Sequence, residues 1–140
     1  FHVCRSTLTS HLMTTRFFCP NCWEEIGPQA ARCPYCGYSM SDYDSCSFEE
    51  KLIYALRHPV RENRMMAVQL LGEMKSEKAV TAFASILESE KDFYVIREVI
   101  NSLKKTGTPE GIRLIQKQGS HPSKLVRKLV RQVIGAHNEQ

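Results

Sequence analysis

An internal repeat of 31 to 32 residues runs through the C-terminal two thirds of this 140-residue chain. Its anchors are Leu71, Leu103 and Ile134, which stand 32 and then 31 residues apart. Eight residues before each anchor come the equivalent pairs Asn63-Arg64, Val95-Ile96 and Val126-Arg127, and His58-Pro59 recurs two periods later as His121-Pro122. A unit of this length cannot bury its apolar face alone, so successive units must stack on one another.

Helical periodicity begins at Ser47, because apolar residues then recur at spacings of three and four. Ser47 and Glu50 predict a capping box, Thr108-Pro109-Glu110 predicts a second strong start, and Gly107 and Gly119 are predicted stops. The predicted helix pairs are 48–57 with 61–74, 78–89 with 92–105, and 109–118 with 122–137. We therefore expect a mostly α fold, an α-solenoid of about three helix pairs.

Four cysteines form a separate N-terminal pattern, in which Cys19 and Cys22 make one Cys-Pro-x-Cys unit and Cys33 and Cys36 make another. Two such turns facing each other create a tetrahedral thiolate site, so we expect all four to bind one structural zinc ion. Gly27-Pro28 is the predicted turn of a small β-hairpin that joins the segments before Cys19 and before Cys33. Gly37 suits a left-handed closing position, whereas Trp23 occupies the place where glycine would be easiest, so the first turn is expected to differ slightly.

Two other chemistries fit four thiols. A rubredoxin-like iron site uses the same ligands, and Cys33-Pro34-Tyr35-Cys36 is identical to the dithiol of glutaredoxins. The redox motif requires a preceding buried strand and a following helix, and Gly37 and the matching upstream Cys pair argue against it. A closed tetrathiolate site has no open coordination position, so it would stabilise the fold and not catalyse.

The patterns divide the chain into an unstructured segment 1–15, a zinc module 16–39, a polar linker 40–46 and a helical-repeat domain 47–140. Cys46 is interpreted as an ordinary thiol, and Cys4 receives no role. No apolar run is long enough to cross a bilayer, and the first residues lack a signal-peptide core. We therefore expect a cytoplasmic protein with reduced thiols and no membrane partner.

The net charge of +4 arises in the C-terminal part, where residues 49–140 contain sixteen Lys and Arg against eleven Asp and Glu. The last repeat carries a candidate surface for an anionic partner, formed by Arg113, Lys117, Lys124, Arg127, Lys128 and Arg131. Its members on the last helix share one face. The simplest interpretation, and the favoured one, is a solvated outer face and polar end cap, which a terminal repeat requires for solubility. Nucleic-acid contact through the phosphate backbone is an alternative.

No catalytic motif stands out along the chain. Nucleophile elbows, zinc-protease motifs and phosphate-binding glycine loops are absent from the sequence, and the five histidines are scattered. His58 and His121 occupy equivalent corners between helices, which favours a capping role over acid-base chemistry. The sequence therefore predicts a protein that is not an enzyme.

Two family resemblances agree with these patterns. Residues 17–38 resemble prokaryotic zinc ribbons of the pattern F-C-x-x-C-G, matched at Phe18-Cys19 and Cys36-Gly37, with departures at Trp23 and Arg32. Residues 47–137 resemble the short HEAT-like repeats of the PBS-lyase type, with departures at Asn63, Met74-Lys75 and Lys104.

We expect a non-enzymatic adaptor, in which the zinc module forms one contact surface for a partner protein and the concave helix row forms another. HEAT-like repeats of this kind also occur in bilin lyases, which attach chromophores to phycobiliproteins. An accessory protein of that type is therefore an alternative function.

Overall fold

A computed structural model describes residues 16–138, with side chains described through residue 135. The expectations for residues 1–15, including Cys4, lie outside the described residues. The chain divides into two compact units, one ending at Cys46 and the other beginning at Ser47. Within residues 16–138, no helix combines the length and the apolar character that crossing a membrane would require.

The N-terminal unit contains a two-stranded antiparallel hairpin and one short helix. Strand β1 (Phe17–Phe18) pairs with β2 (Glu25–Ile26), so that Phe17 lies opposite Ile26. A separate antiparallel bridge joins Arg32 to Ser39. Helix α1 (Met40–Asp44) follows, within the segment that was expected to be a polar linker.

The predicted pairing of the segments before Cys19 and before Cys33 is wrong. Each Cys-x-x-Cys turn instead closes its own pairing, since β1 and β2 flank the first turn and the Arg32–Ser39 bridge flanks the second. The physical reason is that a Cys-x-x-Cys turn reverses the chain by itself, so Gly27-Pro28 connects two small hairpins and does not form the turn of one larger hairpin.

The second unit is a stack of three helix pairs, as the repeat predicts. The first helix of each pair is α2 (Phe48–Ala55), α4 (Ala79–Ser89) and α6 (Pro109–Lys117). The second helix of each pair is α3 (Arg61–Glu73), α5 (Phe93–Thr106) and α7 (Lys124–Asn138). A short 3-10 turn, Gln118–Ser120, follows α6.

The predicted helix signals occupy their expected places, except that α6 already ends at Lys117 and Gly119 lies within the 3-10 turn. The Ser47 and Glu50 side chains form the capping box of α2, and the Thr108 hydroxyl accepts from Gly111 N at the start of α6, with Pro109 in its first turn. Gly107 ends α5 in the left-handed region with a φ of 70°. These local signals fix the ends of the helices, while packing between the pairs stabilises them.

Helix α5 is central to the core, because it contacts α3, α4, α6 and α7. Six of its side chains are buried, among them Val99, Ile100 and Leu103, which are each 0% exposed. Phe83 of α4 and Leu71 of α3 are equally buried and belong to the same apolar cluster. One continuous core therefore joins all three pairs.

Helices α3 and α5 approach each other closely at Gly72. The Ser102 hydroxyl of α5 is buried and donates a hydrogen bond of 2.8 Å to the Val68 carbonyl of α3. A Cβ added at Gly72 would stand 2.7 Å from the Ser102 Cβ and 2.9 Å from its Cα. Glycine is therefore required at this crossing, even though alanine is the better helix former.

We expect Gly72→Ala to lower the free energy of unfolding by about 1 to 3 kcal/mol, because overpacking outweighs the helix propensity of alanine. Gly135→Ala is the matched control, since a Cβ there meets nothing within 4 Å. That substitution should raise the free energy of unfolding, by at most about 1 kcal/mol. Urea denaturation followed by far-UV circular dichroism measures the stability of both variants. Midpoint shifts of the same sign in the two variants would contradict the requirement for glycine at position 72.

Candidate metal centre and basic surface

The two Cys-x-x-Cys turns have the same backbone structure. In the first, Cys19 N donates to Glu24 O at 2.9 Å and Trp23 N donates to Cys19 O at 2.8 Å. In the second, Cys33 N donates to Tyr38 O and Gly37 N donates to Cys33 O, both at 2.9 Å. The turns are thus equivalent, residue for residue.

Trp23 occupies the position in the first turn that Gly37 occupies in the second. Both residues lie in the left-handed region, Trp23 with a φ of 63° and Gly37 with a φ of 78°. The expected difference between the turns is therefore absent from the backbone. A side chain in this region costs about 1 to 2 kcal/mol, so the surrounding contacts must hold Trp23 in place.

The sulfur atoms of Cys19, Cys22, Cys33 and Cys36 all lie within 4.8 Å of one another. The Cys19 and Cys36 sulfurs are 3.6 Å apart, and so are those of Cys22 and Cys33. A zinc tetrahedron with Zn–S bonds of about 2.3 Å has sulfur–sulfur edges of about 3.8 Å. The four thiols are free, and their spacing fits one tetrahedral metal ion.

Polar hydrogens point at the sulfur atoms. Tyr35 N donates to Cys33 Sγ at 3.4 Å, and Asn21 Nδ2 donates to Cys36 Sγ at 3.5 Å. The Asn21 amide and then the Tyr38 backbone N–H lower the pKa of Cys36 to about 6. These donors stabilise a thiolate, which is the form that binds a metal.

The pKa of Cys22 is shifted in the opposite direction, upwards. The Glu24 backbone N–H lowers its pKa, but burial and the neighbouring cysteine sulfurs outweigh that effect and raise the pKa to about 12. Four crowded sulfurs therefore oppose simultaneous ionisation, because negative charges at this spacing repel one another. A divalent cation at their centre removes that repulsion.

Cys46 stands apart from the cluster. Its Sγ donates to Asp42 O at 3.3 Å, across the end of α1. Within residues 16–138, the cluster of four cysteines is the one group of three or more His, Cys, Asp or Glu side chains arranged to hold a metal.

The six basic residues predicted as one surface lie on two helices. Arg113 and Lys117 are on α6, where Arg113 borders a shallow cavity with Glu77 and Glu110. The other four are on α7, and three of them, Lys124, Lys128 and Arg131, are exposed. The six cations thus belong to two different helices of the pair.

Arg127 has a structural contact that the sequence analysis missed. Its Nη1 donates to the carbonyls of His121 and Pro122, both at 2.8 Å. In the first repeat, Arg64 Nη1 donates in the same way to the carbonyls of His58 and Pro59, at 2.9 and 3.1 Å. Both arginines thus tie the start of a second helix to the preceding corner.

Each corner also contains a side-chain acceptor for a backbone N–H two residues later. Nδ1 of His58 accepts from Val60 N at 2.9 Å, and Nδ1 of His121 accepts from Ser123 N at 3.0 Å. Glu90 replaces histidine in the middle repeat, and its Oε1 accepts from Asp92 N at 3.0 Å. The expected capping role of the two histidines matches these bonds.

Comparison with family models matches residues 49–135 to HEAT repeats. The chain belongs to the HEAT-repeat family. HEAT repeats are generally scaffolds for protein interactions and are typically non-catalytic. A comparison with curated proteins gives no match.

Without a bound metal, the N-terminal unit should be disordered and the helical repeats should stay folded, since the core of the repeats contains none of the four thiols. Trp23 is the single tryptophan, so its fluorescence reports on the N-terminal unit, while far-UV circular dichroism reports on the helices. We expect EDTA to change the fluorescence and to preserve most of the helical signal.

Cys33→Ser should abolish stoichiometric metal binding, because it removes one of four ligands. The matched control is Cys46→Ser, which should bind metal like the original chain. Equal loss of metal in both variants, measured by elemental analysis, would contradict the assignment of the site.

Arg127→Gln and Arg64→Gln should each lower the free energy of unfolding by about 1 to 2 kcal/mol, because the corner carbonyls lose a charged donor. Lys128→Gln is the control on the same helix and should change it by less than about 0.5 kcal/mol. Urea denaturation tests the comparison. If Arg127→Gln changes the free energy of unfolding as little as Lys128→Gln does, the corner contact contributes nothing to stability.

Proposed function

We propose that the chain is a non-enzymatic adaptor, which binds a partner protein through its HEAT-repeat unit and its cysteine module. The observation that carries this proposal is the closed nature of the cysteine site. Four thiols within 4.8 Å of one another would fill the coordination sphere of a tetrahedral metal ion and leave no position for a substrate or a reactive water. The remaining unit is a HEAT solenoid, a fold generally used to present an interaction surface.

The metal in this proposal is one structural zinc ion bound by Cys19, Cys22, Cys33 and Cys36. Sulfur pairs 3.6 Å apart and N–H groups directed at the sulfurs support it. Iron accepts the same ligands, so elemental analysis of the purified chain decides between the two metals. Reduced thiols fit a cytoplasmic location, which we include in the proposal.

Nucleic-acid binding is the second candidate, and the exposed cations Lys124, Lys128 and Arg131 on α7 favour it. Such binding would be directed to the phosphate backbone, so its affinity would fall steeply with salt. Arg127 is unsuitable for testing it, because its guanidinium already bonds to two corner carbonyls.

Affinity capture with the full chain tests the adaptor proposal. We expect a defined host protein to be retained in stoichiometric amount, to survive nuclease treatment of the extract, and to bind the purified chain in isothermal titration calorimetry. The reconstituted complex should form at a ratio of small integers.

Retention that disappears with nuclease would replace the adaptor by the nucleic-acid candidate. Absence of any stoichiometric protein, or catalytic turnover by the purified chain, would refute the adaptor. Cys46→Ser is the control variant for the capture experiment, because it alters a thiol outside the four-cysteine cluster.

A further inference from the structure

Three side-chain amides occupy the same repeat position on the three second helices. Gln69 of α3, Asn101 of α5 and Gln132 of α7 are 32 and then 31 residues apart, in phase with the repeat. Gln69 and Gln132 are exposed, and Asn101 is partly exposed. We call these three residues the amide row.

None of the three amides donates or accepts a hydrogen bond from another described residue, and each is therefore available to a ligand. A carboxamide offers one acceptor oxygen and two donor hydrogens. A peptide group offers the matching pair, one N–H and one C=O. The amide row is thus chemically suited to the main chain of a bound peptide.

The spacing of the helices also suits an extended chain. The packed second helices stand about 8 to 10 Å apart, and an extended peptide rises about 3.3 Å per residue. Such a peptide would meet one amide about every three residues. A segment of about eight residues is therefore long enough to cross all three helices with a residue to spare at each end.

Each second helix also carries an exposed apolar side chain on the same face as its amide, one turn before the amide on α3 and two turns before it on α5 and α7. These side chains are Met66 on α3, Tyr94 on α5 and Leu125 on α7, which are 57%, 51% and 58% exposed. Arg61 and Arg97 lie 5.3 and 5.1 Å from the centre of the Tyr94 ring and hold it in place. These side chains offer apolar contacts to a peptide whose main chain bonds to the amides.

Charge changes sign along this surface. On α3, the Arg61 guanidinium pairs with Asp92, whose Oδ1 accepts from Nη2 at 3.1 Å, and Arg64 is engaged by corner carbonyls. Glu62 and Glu73 are exposed on the same helix.

On α7, Arg127 is engaged in the same way as Arg64, but Lys124, Lys128 and Arg131 remain exposed, and no acidic residue occurs between 124 and 135. Lys104 and Lys105 add exposed positive charge on α5, one turn after Asn101. The surface is therefore acidic over α3 and basic towards α7.

We propose that the amide row binds an extended segment of the partner protein, with acidic residues of that segment over α5 and α7. This inference rests on the adaptor function and specifies its surface and partner chemistry. A nucleic acid fits the surface less well, because a phosphodiester backbone offers acceptors but no donors to the amide oxygens. Its phosphates would also meet Glu62 and Glu73 at the α3 end.

A displayed library of random peptides of about a dozen residues, selected on the full chain, is the probe. We expect selected peptides to be acidic towards one end and free of acidic residues at the other. Fluorescence anisotropy with a labelled synthetic copy of a selected peptide then gives affinities for variants.

Gln132→Ala should weaken binding about tenfold, because the peptide main chain loses two hydrogen bonds. The matched control is Gln116→Ala, an exposed glutamine on α6 of the same repeat, which should bind normally. Lys128→Glu should also weaken binding about tenfold, more at low salt, whereas Lys117→Glu on α6 should not. Circular dichroism verifies that each variant is folded.

Library selection on the Lys128→Glu chain supplies a positive test, because the enriched peptides should now carry basic residues at the formerly acidic end. The proposal is overturned if no peptides are enriched, or if Gln116→Ala weakens binding as much as Gln132→Ala. It is also overturned if an oligothymidylate binds more tightly than the peptides and loses affinity in Lys128→Glu.

The adaptor proposal and the amide-row proposal can fail independently of each other. A captured host partner whose binding is unaffected by Gln132→Ala and Lys128→Glu would leave the adaptor standing and overturn the amide-row surface. Enrichment of acidic peptides with no captured partner would leave the amide-row surface standing and overturn the adaptor.

Discussion

Stacking of the second helices is the contact on which the helical unit depends. Helix α5 packs against α3 on one side and against α7 on the other, and its buried residues supply the centre of the apolar cluster. The close approach at Gly72 lets the Ser102 hydroxyl reach the Val68 carbonyl across the boundary between repeats. Without neighbours, each helix pair would expose one apolar face to water, so the repeats are stable only as a stack.

The N-terminal unit also buries too little apolar surface to be stable alone, but it is stabilised by different means. Few apolar side chains are buried among residues 16–46, and two of them are Cys19 and Cys33, the first cysteine of each turn. A unit of this size buries too little surface to fold on hydrophobic contacts alone. Bonds from four thiolates to one metal can supply the missing free energy of folding. They can also offset the cost of the left-handed backbone conformation at Trp23.

The repeat phase and the capping residues predicted the helices to within about two residues, because both signals are local. The pairing of the strands was predicted wrongly, since the sequence reveals the turns but not which segments they bring together. The contact of Arg127 was also missed, although a signal for it existed. His-Pro followed six residues after the histidine by arginine occurs in the first and third repeats, while the middle repeat has Glu90 and Ile96 and lacks both features.

That missed contact changes the interpretation of charge on the second helices. Arg64 and Arg127 both bond to corner carbonyls, so each keeps its positive charge but has fewer N–H donors to offer a partner. After those two are set aside, α3 presents exposed acids and α7 presents exposed lysines. The uncommitted charges are therefore unequal at the two ends of the stack, and a bound chain would be oriented by them, while the repeated amides fix where its main chain lies.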